Sequence, residues 1–151
     1  MKESTSKTMK RFNYLLGELG AVYHDMALKL GLPDSAMNVL YTICDQGESC
    51  LLQNICRWSG LSKQTINSAI RKLEAEGILY LETAGSRNKN VCLTEKGLDL
   101  AEQTAGRVLQ AENEIFESWP KEDVEKYLEL TEHFLRALQE KAERMKGKEQ
   151  T

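Results

Sequence analysis

The segment from Leu51 to Gly77 restricts the fold of this chain more than any other. Two short helical patterns stand here, joined by the turn Ser59-Gly60-Leu61. The first runs from about Leu51 to Trp58, with Leu52, Ile55 and Cys56 on one side; the second runs from Ser62 to Gly77. Helix, tight glycine-containing turn and helix at this spacing is the pattern of a helix-turn-helix. Ser62 suits the N-cap of the second helix because its hydroxyl can accept a free first-turn amide. Gly77 suits the stop because a left-handed residue there costs glycine nothing.

The second of these helices divides into two faces. At about 100 degrees per residue, Ile66 and Leu73 lie within roughly 60 degrees of Ile70, with Ala69 close by, so this side points to the core. Gln64, Thr65, Asn67, Ser68, Arg71 and Lys72 face outward. Amides suit adenine, a guanidinium suits guanine or phosphate, and small hydroxyls permit close approach to a groove. A solvated surface helix more often carries Glu/Lys pairs, whereas here the acids wait until Glu74 and Glu76. The outward face therefore predicts a recognition helix. Gln64, Thr65, Ser68 and Arg71 are expected to read bases, with Asn67 as a further reader. Ser62 stands at the helix start, and Lys63 and Lys72 are placed against phosphate.

Elsewhere the pattern is mainly helical. Apolar residues at Phe12, Leu15, Leu16, Leu19, Tyr23, Met26 and Leu30 form one stripe of a first helix, broken at Gly31-Leu32-Pro33-Asp34. A second helix, capped by Asp34 or Ser35, carries Ala36, Val39, Leu40 and Ile43 inward and ends at Gln46-Gly47-Glu48. After Gly77, Ile78 to Thr83 and Val91 to Leu93 predict two short strands around a polar loop. That loop offers Arg87, Asn88 and Lys89 at a tip able to reach a minor groove, its plainer reading being a solvated turn. Thr94 is expected to cap one long helix through Leu98, Ala101, Ala105, Val108, Leu109, Ile115 and Phe116. Pro120 opens another, with Val124, Tyr127, Leu128, Thr131, Phe134, Leu135 and Leu138 on its apolar face. The two polar ends read as disordered.

The expected fold is mainly α with a small two- to three-stranded β wing. A winged helix-turn-helix over 32–97 is flanked by long dimerisation helices over 8–30 and 98–146, all within one domain of 1–151.

The 151 residues carry a net charge of -3, which opposes DNA binding until the distribution is considered. From Leu51 to Gly97 stand seven basic residues (Arg57, Lys63, Arg71, Lys72, Arg87, Lys89, Lys96) and four acidic (Glu74, Glu76, Glu82, Glu95), a local +3 that leaves -6 for the remainder. Such a chain can meet phosphate with one surface only. The N-terminus lacks an apolar signal core and the apolar stretches are interrupted by charge, so a cytoplasmic protein with no membrane contact is expected.

Four cysteines (Cys44, Cys50, Cys56, Cys92) then read as thiols, and their spacing, with only His24 and His133 as histidines, matches no zinc signature. Packing is the default for Cys44, Cys56 and Cys92; Cys50, read as a loop residue, is the redox candidate. No nucleophile and base at recognisable spacing, phosphate-binding glycine loop or metal cluster points to an enzyme or a cofactor.

The turn Gly60-Leu61-Ser62, the run Gln64-Thr65-Ile66, the phrase Arg71-Lys72-Leu73-Glu74-Ala75-Glu76-Gly77 and the wing exit Val91-Cys92-Leu93-Thr94-Glu95-Lys96-Gly97 together resemble the MarR family of winged-helix regulators. The resemblance covers nearly the whole chain. It implies a triangular homodimer whose first, fifth and sixth helices interlock, with two winged helices splayed to meet successive major grooves of a palindromic operator. Many members carry Asp-x-Arg or Asp-Arg-Arg at the wing tip, where this chain has Gly85-Ser86-Arg87, so Arg87 keeps a DNA-contacting role without the acid that orients it. Family members also often bind small aromatic or anionic effectors between the dimer helices and the winged helix. Tyr14, Tyr23, His24 and Trp119 are available to line such a cleft, and each reads equally well as core or surface. Two other functions remain open from the sequence: a winged helix used only as a protein-interaction module, and a thiol-based redox-sensing regulator.

Overall fold

The computed structural model describes residues 6–85 and 87–149. The chain divides into two compact units, one ending at Gln110 and one beginning at Ala111. The polar ends expected to be disordered fall largely outside the described residues, as does Ser86 at the wing tip.

The first unit opens with α1 (Lys7–Lys29), capped by Ser6, whose Oγ accepts the Met9 amide at 3.2 Å. α2 (Asp34–Gln46) buries Ala36, Met37, Val39, Leu40 and Ile43. The capping role expected of Asp34 or Ser35 falls instead to Pro33, which makes no side-chain cap. Asp34 sits in the first turn and pairs across to His24 of α1, Oδ2 to Nδ1 at 2.7 Å.

A three-residue strand, β1 (Ser49–Leu51), precedes α3 (Leu52–Ser59), and α4 (Lys63–Ala75) follows the turn at Gly60. The strands β2 (Leu79–Ala84) and β3 (Asn88–Leu93) complete an antiparallel sheet in the order β1-β3-β2. Ser49 stands opposite Cys92, which stands opposite Tyr80. The wing expected with two or three strands has three. This corrects the placing of Cys50 in a loop: it lies on β1 opposite Val91 and is 5% exposed.

α4 ends in a full Schellman motif. The Ile78 amide donates to the Leu73 carbonyl at 2.9 Å and the Gly77 amide to Glu74 at 3.0 Å, with Gly77 at φ 75. Leu73 and Ile78 are both buried, the apolar contact that accompanies this cap. The core of the unit is built from α2 (Val39, Leu40, Ile43), α3 (Ile55), α4 (Ile66, Ile70, Leu73) and the sheet (Leu79, Val91), closed by Ala101, Ala105 and Val108.

The long helix expected after Thr94 is two helices, α5 (Glu95–Gln103) and α6 (Ala105–Ser118), separated at Thr104. Thr104 is buried, and its hydroxyl donates to the Leu100 carbonyl at 2.7 Å. That bond satisfies an acceptor that would otherwise take the i+4 amide, an alternative through which threonine bends helices. At Gly106 the backbone passes the Ala101 carbonyl closely enough that a Cβ would stand 3.1 Å from its oxygen.

In the second unit, α7 (Lys121–Glu149) starts directly after Pro120. Phe116, Trp119 and Tyr127 form an aromatic cluster with centroids 5.4 to 6.1 Å apart. This is the place of Trp119, one of the four residues considered for an effector cleft.

Candidate nucleic-acid interface

The N-terminus of α4 is set by Ser62, whose Oγ accepts the Thr65 amide at 3.1 Å and donates to Thr65 Oγ1 at 2.8 Å. Both hydroxyls are therefore engaged in the cap as well as facing outward. Ile66, Ala69, Ile70 and Leu73 are buried, as the helical arithmetic required. Ser62, Lys63, Gln64, Thr65, Ser68, Arg71 and Lys72 are exposed, and Asn67 is half-buried. Arg71 Nε donates to the Asn67 carbonyl at 3.4 Å, a long bond.

The C-terminal end of α4 is held from the far side of the wing. Lys96 Nζ donates to the Glu76 carbonyl at 2.9 Å, and Thr94 Oγ1 donates to the Gly77 carbonyl at 2.6 Å while accepting the Gly97 amide at 3.0 Å. The backbones are so close that a Cβ on Gly97 would sit 1.8 Å from the Ile78 carbonyl oxygen. The wing exit Thr94-Glu95-Lys96-Gly97 thus fastens α5 to the end of α4.

The outward residues of α4 divide between two clefts. On one side Lys63, Asn67 and Arg71 face the hairpin residues Arg87, Asn88 and Lys89 across a cleft of about 660 Å³, to which α3 contributes Leu52, Gln53 and Cys56. On the other side Gln64, Thr65, Ser68 and Lys72 face the turn between α1 and α2, with Pro33 and Ser35, across a cleft of about 730 Å³. Gln53 and Ser35 were not singled out from the sequence. Among the described residues, Lys63, Arg71, Lys72, Arg87 and Lys89 form no salt bridge with an acidic side chain. Five cations without acidic partners on one surface attract a polyanion more strongly than the chain's net charge suggests.

The thiols are placed unlike reactive ones. Burial raises the pKa of Cys50, with Asp45 adding to the rise, and burial alone raises that of Cys44. Cys92 is 6% exposed on the wing, with its Sγ 3.5 Å from Glu82 Oε2; its pKa is raised by burial and then by the bond to that carboxylate. Tyr80 beside it is raised chiefly by the charge a Cys92 thiolate would carry. Cys56 is the thiol that opens into the basic cleft. Among the described residues no group of three or more His, Cys, Asp or Glu side chains could hold a metal ion, and no helix is long and apolar enough to cross a membrane.

A three-helix core with a β hairpin following its last helix is a winged helix, and here the exposed side of that helix and the hairpin carries amides, hydroxyls and cations. The sequence model of the MarR family matches residues 30–87, from the end of α1 to the wing tip. No curated protein sequence matches it. Among solved structures, a MarR family regulator from Neisseria meningitidis superposes with a TM-score of 0.80 at 16% identity, over 92% of this chain and 99% of that one. A MarR family transcriptional regulator from a Rhodococcus species gives 0.61 at 23% identity, covering 87% and 96%. CouR from Rhodococcus jostii, solved bound to p-coumaroyl-CoA, gives 0.66 at 23% identity, covering 86% and 95%. These likenesses are of fold.

Proposed function

We propose that this chain is a transcription regulator that acts as a homodimer on double-stranded DNA, occupying an imperfect palindrome of about 16 to 20 base pairs with half-sites one helical turn apart. The observation that carries the reading is the five-cation surface shared by α4 and the hairpin, on an α4 face that is otherwise amide and hydroxyl. In this reading Gln64, Thr65, Ser68 and Arg71 meet base edges in the major groove, while Lys63, Lys72 and Arg87 meet phosphate or the minor groove. A module that only bound protein would present apolar residues there.

The dimer reading is supported by large apolar side chains left open in the single chain. Leu15, Leu16 and Leu19 of α1 and Leu128, Phe134, Leu135 and Leu138 of α7 are about half exposed. Patches of this kind mark association surfaces. Two-fold symmetry in the protein then matches two-fold symmetry in the operator.

Binding across a promoter blocks transcription, so the regulator is a repressor in this reading, released by a small aromatic or anionic effector. The solved MarR-fold structures carrying 4-hydroxyphenylacetate and p-coumaroyl-CoA support that class of effector.

Fluorescence anisotropy of the purified protein against its own upstream DNA and a scrambled duplex, at several salt concentrations, tests the reading. Nanomolar binding to the upstream DNA alone, weakening with salt, is expected; equal weak binding to both, or none, refutes specific recognition there.

A further inference from the structure

Three successive carbonyls just past α4 are each taken by a donor from the wing exit. The Glu76 oxygen accepts from Lys96 Nζ at 2.9 Å, the Gly77 oxygen from Thr94 Oγ1 at 2.6 Å and the Ile78 oxygen from the Thr94 amide at 3.1 Å. Thr94 has a second duty, because its hydroxyl also accepts the Gly97 amide and caps α5. Lys96 has no such double role: it is exposed, forms no salt bridge among the described residues, and lines neither of the two clefts beside α4. Its ammonium sits at the carboxyl end of α4, where the carbonyl dipoles favour a cation.

Ile70 is buried near the middle of α4, and Gln64 and Glu76 stand equally far from it on either side, about 9 Å along the axis at about 1.5 Å per residue. A tilt of about 5 degrees around Ile70 moves each of them by about 0.8 Å, more than the roughly 0.5 Å spread of hydrogen-bond lengths. The buried Ile66, Ala69, Ile70 and Leu73 hold α4 on the core through contacts that have no direction, so the direction of its axis rests on the bonds at its ends. We propose, resting on the DNA-binding reading above, that Lys96 is a positioning residue: without touching DNA it holds the tilt of α4, and so sets how strictly Gln64 and its neighbours choose a sequence. A lysine on phosphate follows a shift of this size with its flexible stem, whereas an amide aimed at a base edge loses its geometry. Loosening the end of α4 therefore lowers selectivity before it lowers affinity.

The test compares the full chain as wild type, Lys96→Met and Lys96→Arg, well below each melting midpoint and at several salt concentrations. Anisotropy is read on a duplex that wild-type protein selects from a randomised pool and on a scrambled duplex. Lys96→Met keeps an apolar stem of similar length and loses the donor. It is expected to cut the affinity ratio between the duplexes by about three- to tenfold, part of what one base contact supplies. Its affinity for the scrambled duplex and its slope of log affinity on log salt stay close to wild type. Lys96→Arg keeps a donor and restores the ratio. An ammonium that met phosphate would instead weaken both duplexes alike and take the slope down by about 1. That result overturns the proposal, as does a wild-type ratio in Lys96→Met or a loss that Lys96→Arg does not restore. Wild-type protein that selects no duplex at all brings down the DNA-binding reading itself, and this proposal with it.

Discussion

Gly97→Ala is the substitution whose cost the backbone sets most directly. A Cβ there would lie 1.8 Å from the Ile78 carbonyl oxygen, so α5 and the segment entering β2 must separate by at least 1.2 Å to reach even 3.0 Å. The same oxygen accepts the Thr94 amide at 3.1 Å and lies 3.1 Å from the Thr94 hydroxyl. A separation of that size breaks both contacts, at about 1 kcal/mol each. Forcing the neighbouring core apart adds roughly 1 to 3 kcal/mol, and alanine's better helix propensity returns about 1. The net expectation is a loss of about 2 to 4 kcal/mol, a large part of a typical domain's stability. Urea unfolding followed by circular dichroism, at one fixed protein concentration, measures it. Gly106→Ala is the control, since its Cβ would meet the Ala101 carbonyl at 3.1 Å and needs only a few tenths of an ångström. A Gly97→Ala midpoint within 1 kcal/mol of wild type, on a scale of about 1 to 3 kcal/mol per molar urea, would refute the argument from close approach.

Three further outcomes follow from the same geometry. Arg71→Ala should lower affinity for the preferred duplex by roughly 1 to 3 kcal/mol, read by anisotropy; unchanged binding removes α4 as the reader. Leu135→Glu with Leu138→Glu, both on α7 and both about half exposed, should shift the protein from dimer to monomer in analytical ultracentrifugation at micromolar concentration, and a variant that stays dimeric excludes this face from the interface. Because the Cys44, Cys50 and Cys92 thiols have raised pKa values, the folded chain holds protons that the unfolded chain releases above about pH 8.5. Their contribution to stability is complete below that pH and is lost as pH rises through the folded values. Under reducing conditions, the urea midpoint should therefore fall more steeply towards alkaline pH in wild type than in a triple cysteine-to-alanine variant, and parallel curves would count against it.

What the sequence disclosed was whatever depended on local periodicity. Ile66, Ile70 and Leu73 recur at helical spacing, so the buried side of α4 and hence its outward residues were legible, as was the glycine stop at Gly77. β1 was not, because Ser49-Cys50-Leu51 is too short to show alternation and becomes a strand only through β3, some forty residues later. Its misreading is what made Cys50 look like an accessible thiol. The break at Thr104 was hidden for the opposite reason: Ala101, Ala105 and Val108 keep a continuous apolar spacing across it, while the hydroxyl that interrupts the backbone leaves no trace in that pattern. Gln53 escaped notice because it owes its place to a meeting of α3 with α4 and the hairpin, which no stretch of residues encodes by itself.

The segment that ends α4 is fastened by Thr94 and Lys96, which reach to it from beyond the wing, while Ser62 closes the helix's own first turn. If α4 reads DNA as proposed, a helix fastened at its end in this way has less freedom to tilt or slide towards an imperfect target. In that reading the burden of adjustment would pass to the nucleic acid, and base steps that are never touched would acquire a say in which sites are occupied. Flexible pyrimidine–purine steps between the half-sites would be favoured, and stiff tracts there would be penalised, through the cost of shaping the duplex to an unyielding surface.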